Sequence, residues 1–523
     1  MLGNAAIVHF LEGKDIQYVF HLPGIHTLSL YHALKNSKVK VLVGRHESNI
    51  AFMADGFARA TGRPAFVLVT PGPGLGNVVS ACMEAHADDV PLIIIVVEVE
   101  QKDVEKGILH GVREPEALFR NISKEVFVIS DEKLLLIQLE AAFRAAVSPR
   151  QGPVVVSIPY RFLEQEVPFP EPESLPQEGS PPDPEPLAMA LEGAERPVII
   201  GGGALMEEGP RELLDALCRE SAIPFLATAG GKGVLGEDGT YVFGNVAARG
   251  IAREILGRAD VTIALGTRLR AMDTKRRGVK LGRLVHIDVD GQWIGRNYRT
   301  RTAMAARMKE AVEALYRLMK NRRTSWDMEN LRKARESEEA GLAKNHAGFR
   351  IVRLLRQCIP PETVTVWDLS LIAYWAEYHF PVYRQRSFIS PSGISPIFYA
   401  FPASLGAKLG KPDTPCLSVN GDASFCAVAG ELATIRQYDI PVVILVHNNG
   451  GFGMLEYSMR RRYAVEDTMQ LYTPDFPDLA RAFGIRATRA ESLEDLRRIF
   501  LHEIAWDEPH LVEFRHPVFP PPW

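Results

Sequence analysis

Prolines open short apolar runs along the whole of this chain, and helical patterns fill the intervals between them. The runs follow Pro64, Pro91, Pro153, Pro197, Pro224, Pro415, Pro441 and Pro509. A strand tolerates proline at its first residue, where the missing N–H breaks no ladder. Continuous apolar character, without polar alternation, marks strands covered on both faces. Strands alternating with helices form parallel sheets with helices on either side. The pattern therefore predicts an α/β protein of doubly wound parallel sheets, and 523 residues are too many for one such unit.

Two stretches interrupt the pattern. Residues 167–186 are rich in proline and acidic side chains and read as a linker. Residues 321–345 are dominated by charge and read as a solvated connecting helix. Three domains are expected, at 1–166, 187–320 and 346–523. No short-period repeat is visible.

Composition removes several classes of function. A net charge of −4 gives no general attraction to nucleic acid or to an anionic membrane. The apolar runs are far too short to span a bilayer, and the N-terminus lacks the basic and apolar pattern of a leader. Cys82, Cys218, Cys358, Cys416 and Cys426 are odd in number and lack metal-ligand spacing. Buried free thiols and a reducing, cytoplasmic setting are expected.

Residues 421–453 carry the densest chemistry. Gly421-Asp422 ends the apolar run 415–419, and a helical pattern follows over 424–438 with Val428, Leu432 and Ile435 on one face. The strand 441–446 then ends in Asn448-Asn449-Gly450-Gly451. Parallel strands put their carboxyl ends on one edge, so Asp422 and Asn449 should converge. A carboxylate, an amide oxygen and loop carbonyls suit Mg²⁺, and the free amides of the helix start suit a phosphate. Taken alone, the stretch also fits an ordinary βαβ unit, with Asp422 capping a helix and Asn-Gly making a turn.

The first domain offers a second group. One strand ends in His21-Leu22-Pro23-Gly24-Ile25-His26, the next in Gly44-Arg45-His46-Glu47. A third, over 66–70, runs into Pro71-Gly72-Pro73-Gly74-Leu75-Gly76-Asn77. Three strand ends on one edge would bring His26, Glu47 and the glycine turn together. Alone, Glu47 also fits a solvated glutamate at the start of the helix 48–60.

In this order the two groups resemble the thiamine diphosphate-dependent enzymes, in the branch of acetolactate synthase, benzoylformate decarboxylase and benzaldehyde lyase. The resemblance implies a pyrimidine-binding first domain, a central Rossmann-like domain and a diphosphate-binding third domain. Glu47 matches the glutamate that exchanges a proton with the aminopyrimidine, and Pro23, Gly24, Thr70 and Asn77 match its surroundings. Asp422, Asn449 and the carbonyl of Gly451 match the ligands of Mg²⁺. Gly421, Ala423, Ser424, Phe452, Gly453 and Met454 fall beside the diphosphate, with Ala423 where the family has a third glycine. Ile397 falls at the apolar wedge between the cofactor's two rings. Ser395 stands where the family usually has a glycine whose carbonyl accepts from the exocyclic amine; any residue has a carbonyl, so the bond survives where Ser395 adopts the backbone angles.

Near the reacting end the chain departs from the synthases. Ser458 stands where they carry a Trp, and His110-Gly111 where they carry Phe-Gln. His26 and His110 are similar to the acid–base histidines of the decarboxylases and benzaldehyde lyase. The implied activity is cleavage or formation of a C–C bond beside a carbonyl of a 2-oxoacid or aldehyde. The alternatives are a flavin-linked oxidase of the pyruvate oxidase type, an aldehyde lyase and a non-catalytic binding relative. The central Gly201-Gly202-Gly203 keeps FAD possible, but Gly266 to Asp273 departs from the flavin-binding pattern. A packing domain with solvated Arg268 and Arg270 is favoured. The resemblance also implies a homodimer or homotetramer with sites built between subunits.

Overall fold

The computed structural model describes the chain apart from residues 169–182, 207–209, 277 and 466–468. It contains three six-stranded sheets, and every strand pairing in them is parallel. The first comprises β1 Tyr18–His21, β2 Lys40–Val43, β3 Ala65–Val69, β4 Leu92–Glu98, β5 Glu125–Val128 and β6 Val154–Pro159, in the order β2-β1-β3-β4-β6-β5. The second comprises β7 Pro197–Gly201, β8 Phe225–Ala227, β9 Val242–Asn245, β10 Val261–Leu265, β11 Arg283–Asp288 and β12 Thr302–Ala305. Its order is β12-β11-β10-β7-β8-β9. The third comprises β13 Val364–Trp367, β14 Phe388–Ile389, β15 Cys416–Gly421, β16 Val443–Asn448, β17 Arg486–Ala490 and β18 His510–Arg515, ordered β14-β13-β15-β16-β18-β17.

The first and third sheets thus share one strand order, a duplication that no short sequence period betrays. The apolar runs behave as their composition demands: β3, β4 and β10 are buried at every residue. In each sheet the chain reverses its direction of winding at one place, and there the loops part to leave a crevice. These places are between β1 and β3, between β7 and β10, and between β13 and β15.

The first and third units share a core, built around the helices Glu47–Thr61 and Ala400–Gly410. Their backbones touch. A methyl group on Gly56 would fall inside the Ala403 carbonyl oxygen, and one on Gly406 inside the Met53 carbonyl oxygen. Glycine is present at both positions because no side chain fits between the helices.

Several local expectations are corrected. The helix expected over 424–438 is broken into Asp422–Val428, a 3₁₀ turn Ala429–Glu431, and Leu432–Tyr438. The break turns Glu431 inward, fully buried, where Oε1 accepts from Arg45 N at 3.0 Å and Asn49 Nδ2 at 2.9 Å. Arg268 and Arg270 are not solvated; they clasp the first unit, as described below. The charged stretch before the third unit does form a helix, Met328–Asn345, which buries only Leu331. The linker expected at 167–186 lies largely outside the described residues.

All five cysteines are free, four of them buried and Cys426 exposed. Among the described residues no helix is long and apolar enough to cross a membrane. The proline-rich tail folds back onto the helix Leu371–His379: Trp375 Nε1 donates to Pro520 O at 2.8 Å, and Trp523 meets Tyr374 edge-on at 4.9 Å.

Candidate active site

At the crevice between β1 and β3 the Pro23-Gly24 turn and the glycine turn interlock around Thr70. Methyl groups on Gly24 or Gly74 would both strike the Thr70 side chain. The base of this turn is fixed by His21, whose Nδ1 donates to Leu68 O at 2.8 Å while Nε2 faces Thr27 Oγ1 at 3.2 Å. Burial pushes the His21 imidazole down to about 4, so it is a neutral structural group. His26, five residues on, is left half-buried with Nδ1 unpartnered.

The His26 ring lies 5.4 Å from that of His110, whose Nδ1 donates to Pro71 O at 3.2 Å. His110 has φ 65, and its carbonyl crowds Gly72, itself at φ 60. On the other side of the glycine turn, Asn77 Nδ2 donates to Glu47 Oε2 at 2.9 Å. Glu47 occupies the first turn of its helix, behind the N-cap His46. The structure therefore gathers Gly24, His26, Glu47, Thr70, Asn77 and His110 around one crevice.

Burial, and then the proximity of His110, lower the His26 pKa below its ordinary 6.5. A base at His26 therefore keeps its lone pair to a lower pH than a free imidazole. Replacing His110 with Gln removes the second cause. The acid limb of the kcat profile is then expected to move up toward the ordinary histidine range, whatever happens to the maximum rate. A limb that stays in place would separate His26 from the titration.

The second group sits between β13 and β15, with β16 beside it. Asp422 is buried at the start of its helix, where Oδ1 accepts from Ala423 N at 2.8 Å. Oδ2 accepts from Gly450 N at 2.7 Å and Gly451 N at 2.9 Å. Burial pushes this carboxyl above its ordinary range, against the pull of those backbone donors. The paired asparagines divide the work. Asn448 Nδ2 is tied to Glu513 Oε1 at 2.7 Å, whereas Asn449 Oδ1 is buried without any partner. Gly453 packs directly on the Asn449 amide, and any side chain there would displace it. Gly451, at φ 149, has no room for a Cβ against Met469 O.

Ser424 spends its hydroxyl inside the protein, donating to Asp368 Oδ2 at 2.6 Å and accepting from Phe398 N at 2.7 Å. Only its backbone N–H remains for a ligand. Asp368, a residue sequence reasoning missed, closes the switch point by joining the loop after β13 to the helix after β15. Ser395 has φ 58 and Phe398 φ 74, bracketing the half-exposed Ile397. Ser395 thus lies in the left-handed region, which a residue with a Cβ rarely adopts. Among the described residues no hydrogen bond or ion pair joins the Glu47 group to the Asp422 group.

The remaining crevice, between β7 and β10, holds a cleft of about 250 Å³ lined by Gly203, Thr228, Gly266, Thr267, Arg268 and Asp288. Its arginines reach across to the first unit. Arg270 Nη1 bonds Asp88 Oδ1 at 2.7 Å and Ala87 O at 3.1 Å; Arg268 Nη2 bonds Asp89 Oδ2 at 3.1 Å. Asp88 also meets Arg59 at 2.9 Å. Burial opposes charge on Asp88, but Arg270 and Arg59 outweigh it and hold the carboxyl below its usual range.

One crevice thus carries a helix-borne glutamate, and another a buried Asp–Asn pair with a free amide oxygen. The chain matches the thiamine pyrophosphate enzyme N-terminal TPP binding domain over residues 1–117, the central domain over 185–315 and the C-terminal TPP binding domain over 368–514. It belongs to the thiamine pyrophosphate enzyme family. Among its relatives is a probable 2-ketoarginine decarboxylase of Pseudomonas aeruginosa, 31% identical over 99% of this chain and 94% of that protein. A probable acetolactate synthase large subunit of Methanocaldococcus jannaschii is 29% identical over 98% and 91%. An acetolactate synthase of Mycobacterium bovis is 26% identical over 95% and 85%.

Proposed function

We propose that this chain is a thiamine diphosphate- and Mg²⁺-dependent enzyme that decarboxylates a 2-oxoacid and can pass the remaining carbon unit to a second carbonyl. The observation that carries the reading is Asn449 Oδ1, a buried amide oxygen without a donor beside a buried carboxylate. Such an atom is costly unless a cation completes it. Asp422, Asn449 and the Gly451 carbonyl would hold Mg²⁺, and Gly421, Ala423, Ser424 and the loop Phe452-Gly453-Met454 would flank the diphosphate. Once bound, the cofactor supplies a carbon nucleophile and an electron sink for the bond beside the substrate carbonyl.

The protein's own part lies at the other crevice. Glu47 would pass a proton to and from its carboxyl, which Asn77 orients, and Pro23, Gly24 and Thr70 form the wall beside it. Ile397 would pack against the bound cofactor between its rings, and the Ser395 carbonyl would accept a hydrogen bond from its amine. His26 and His110 move protons at the reacting end. We infer further that each site joins Glu47 of one subunit to Asp422 of another, in a homodimer or homotetramer; among the described residues no hydrogen bond or ion pair joins the two groups. Ile25, 71% exposed, and Leu109, 65% exposed, flank the histidines and support that reading. The arginine-bridged central cleft supports a packing role rather than a flavin site, and the cytoplasm is the proposed setting.

The deciding experiment supplies thiamine diphosphate and Mg²⁺ with a panel of 2-oxoacids and aldehydes. The expected result is carbon dioxide release that requires the cofactor. Aldehyde formation or condensation products then separate decarboxylase from ligase. Cofactor-dependent cleavage of a 2-hydroxyketone with no carbon dioxide from any 2-oxoacid would assign a lyase instead, and inertness toward the whole panel would defeat the reading. A second check concerns the metal. Asn449→Ala is expected to raise the Mg²⁺ needed for half-maximal cofactor binding by ~10–100-fold, measured by calorimetry, and an unchanged requirement would remove Asn449 from the ligand set.

A further inference from the structure

Two carboxyl groups of the first unit reach into the third and take four successive backbone N–H groups. Asp88 Oδ2 accepts from Ser392 N at 3.1 Å. Glu84 Oε1 accepts from Gly393 N at 3.0 Å, and Glu84 Oε2 from Ile394 N at 2.8 Å and Ser395 N at 3.1 Å. Glu84 and Asp88 stand one turn apart, Glu84 on the helix Val79–Ala87 and Asp88 capping its end. Glu84 is fully buried, and its Oε1 also meets Arg59 Nη2 at 3.2 Å. Gly393 comes so close to Glu84 that a Cβ would touch the carbonyl and the carboxyl of that residue.

Three consecutive N–H groups converging on one carboxyl force the chain to curl around it, and the curl ends with Ser395 at φ 58. A residue with a Cβ occupies that left-handed region at a cost of order 1–3 kcal/mol unless its surroundings impose it. Here the surroundings are the Glu84 oxygens. A glycine would take this conformation freely; here a serine is held in it by a carboxyl clamp.

We propose that Glu84 is a positioning residue for the aminopyrimidine end of the cofactor: by gathering the N–H groups of Gly393, Ile394 and Ser395 it sets the left-handed turn that aims the Ser395 carbonyl and seats Ile397. The inference rests on the proposed assignment of Ser395 and Ile397 to that end of the cofactor. Glu84 touches neither substrate nor cofactor. Its effect on the site runs through the backbone of residues 393–395.

The test uses the full-length protein with thiamine diphosphate and Mg²⁺. Glu84→Gln keeps the size but turns an amide NH₂ toward N–H donors. It is expected to weaken cofactor binding in calorimetry and to lower kcat by up to about 10²-fold, with KM little changed. Adding Ser395→Gly, which accepts positive φ without strain, is expected to restore both. A fall in thermal midpoint with cofactor affinity and kcat intact overturns the proposal, and so does a loss that Ser395→Gly fails to rescue. Should E84Q not fold, Ser395→Val leaves the clamp whole while penalising the left-handed turn. It is expected to reproduce the loss, and unchanged affinity and kcat would overturn the proposal. Ile397→Ala tells the two levels apart. If it changes neither affinity nor kcat, the underlying assignment fails and the inference falls with it; if it impairs both while E84Q does not, only the role of Glu84 is lost.

Discussion

Replacing Glu47 with Gln is expected to cut turnover by about 10²–10⁴-fold, the range that a positioned proton-transfer group contributes, and to leave the fold intact. The side chain is half-exposed, and among the described residues its one hydrogen bond comes from Asn77 Nδ2 at 2.9 Å. A glutamine carbonyl accepts the same bond. What it cannot do is take and return a proton. Removing a charge from the first turn of the helix costs only about 0.3–1 kcal/mol through the helix dipole, so the melting curve should barely move. Steady-state turnover and a thermal melt on the same preparation check both halves. Turnover within a few-fold of the parent would take Glu47 out of the chemistry.

The largest effect on stability is expected at Gly406. Gly406→Ala puts a methyl group on the Met53 carbonyl oxygen, where the neighbour is rigid helix backbone with nothing flexible to yield. The two helices must separate, and overpacking of this kind costs about 1–3 kcal/mol or more. The damage should not stop at stability, since the helix Ala400–Gly410 follows directly on Ser395, Ile397 and Phe398. Gly341 is the internal control. It lies in the exposed interior of the helix Met328–Asn345, and a methyl group there would meet nothing within 4 Å. Gly341→Ala should therefore stabilise, by up to ~1 kcal/mol on helix propensity. Thermal midpoints that move in the same direction for both variants would contradict the packing account.

What could be read from the sequence was whatever lies close together in it. Asp422 and Asn449 are separated by one helix and one strand, so the parallel pattern alone brings them to the same edge. Glu47 and the glycine turn are likewise neighbours in consecutive βα units. The contacts that position these groups join residues between 182 and 382 positions apart: Glu84 with Ser395, Glu431 with Asn49, Asp88 with Arg270. Each of those acids sits on or beside a helix, where one carboxylate looks like any solvated one. The burial of Arg268 and Arg270 is hidden for the same reason, because Asp88 and Asp89, which pair with them, belong to another unit. The free oxygen of Asn449 and the occupied amide of Asn448 could not be told apart by spacing, since only the Glu513 carboxylate on the neighbouring strand distinguishes them.

The bridge from Asp88 and Asp89 to Arg59, Arg268, Arg270 and Ser392 bears on how the molecule comes apart. Domains in one chain ordinarily meet through modest polar surfaces and can melt separately. Here Asp88 and Asp89 of the first unit pair with Arg268 and Arg270 of the second, and Asp88 also accepts from Ser392 of the third, so separating any unit breaks these bonds together with the contacts packed around them. The chain should consequently lose its three sheets in a single calorimetric transition, and isolated fragments cut between them should be insoluble.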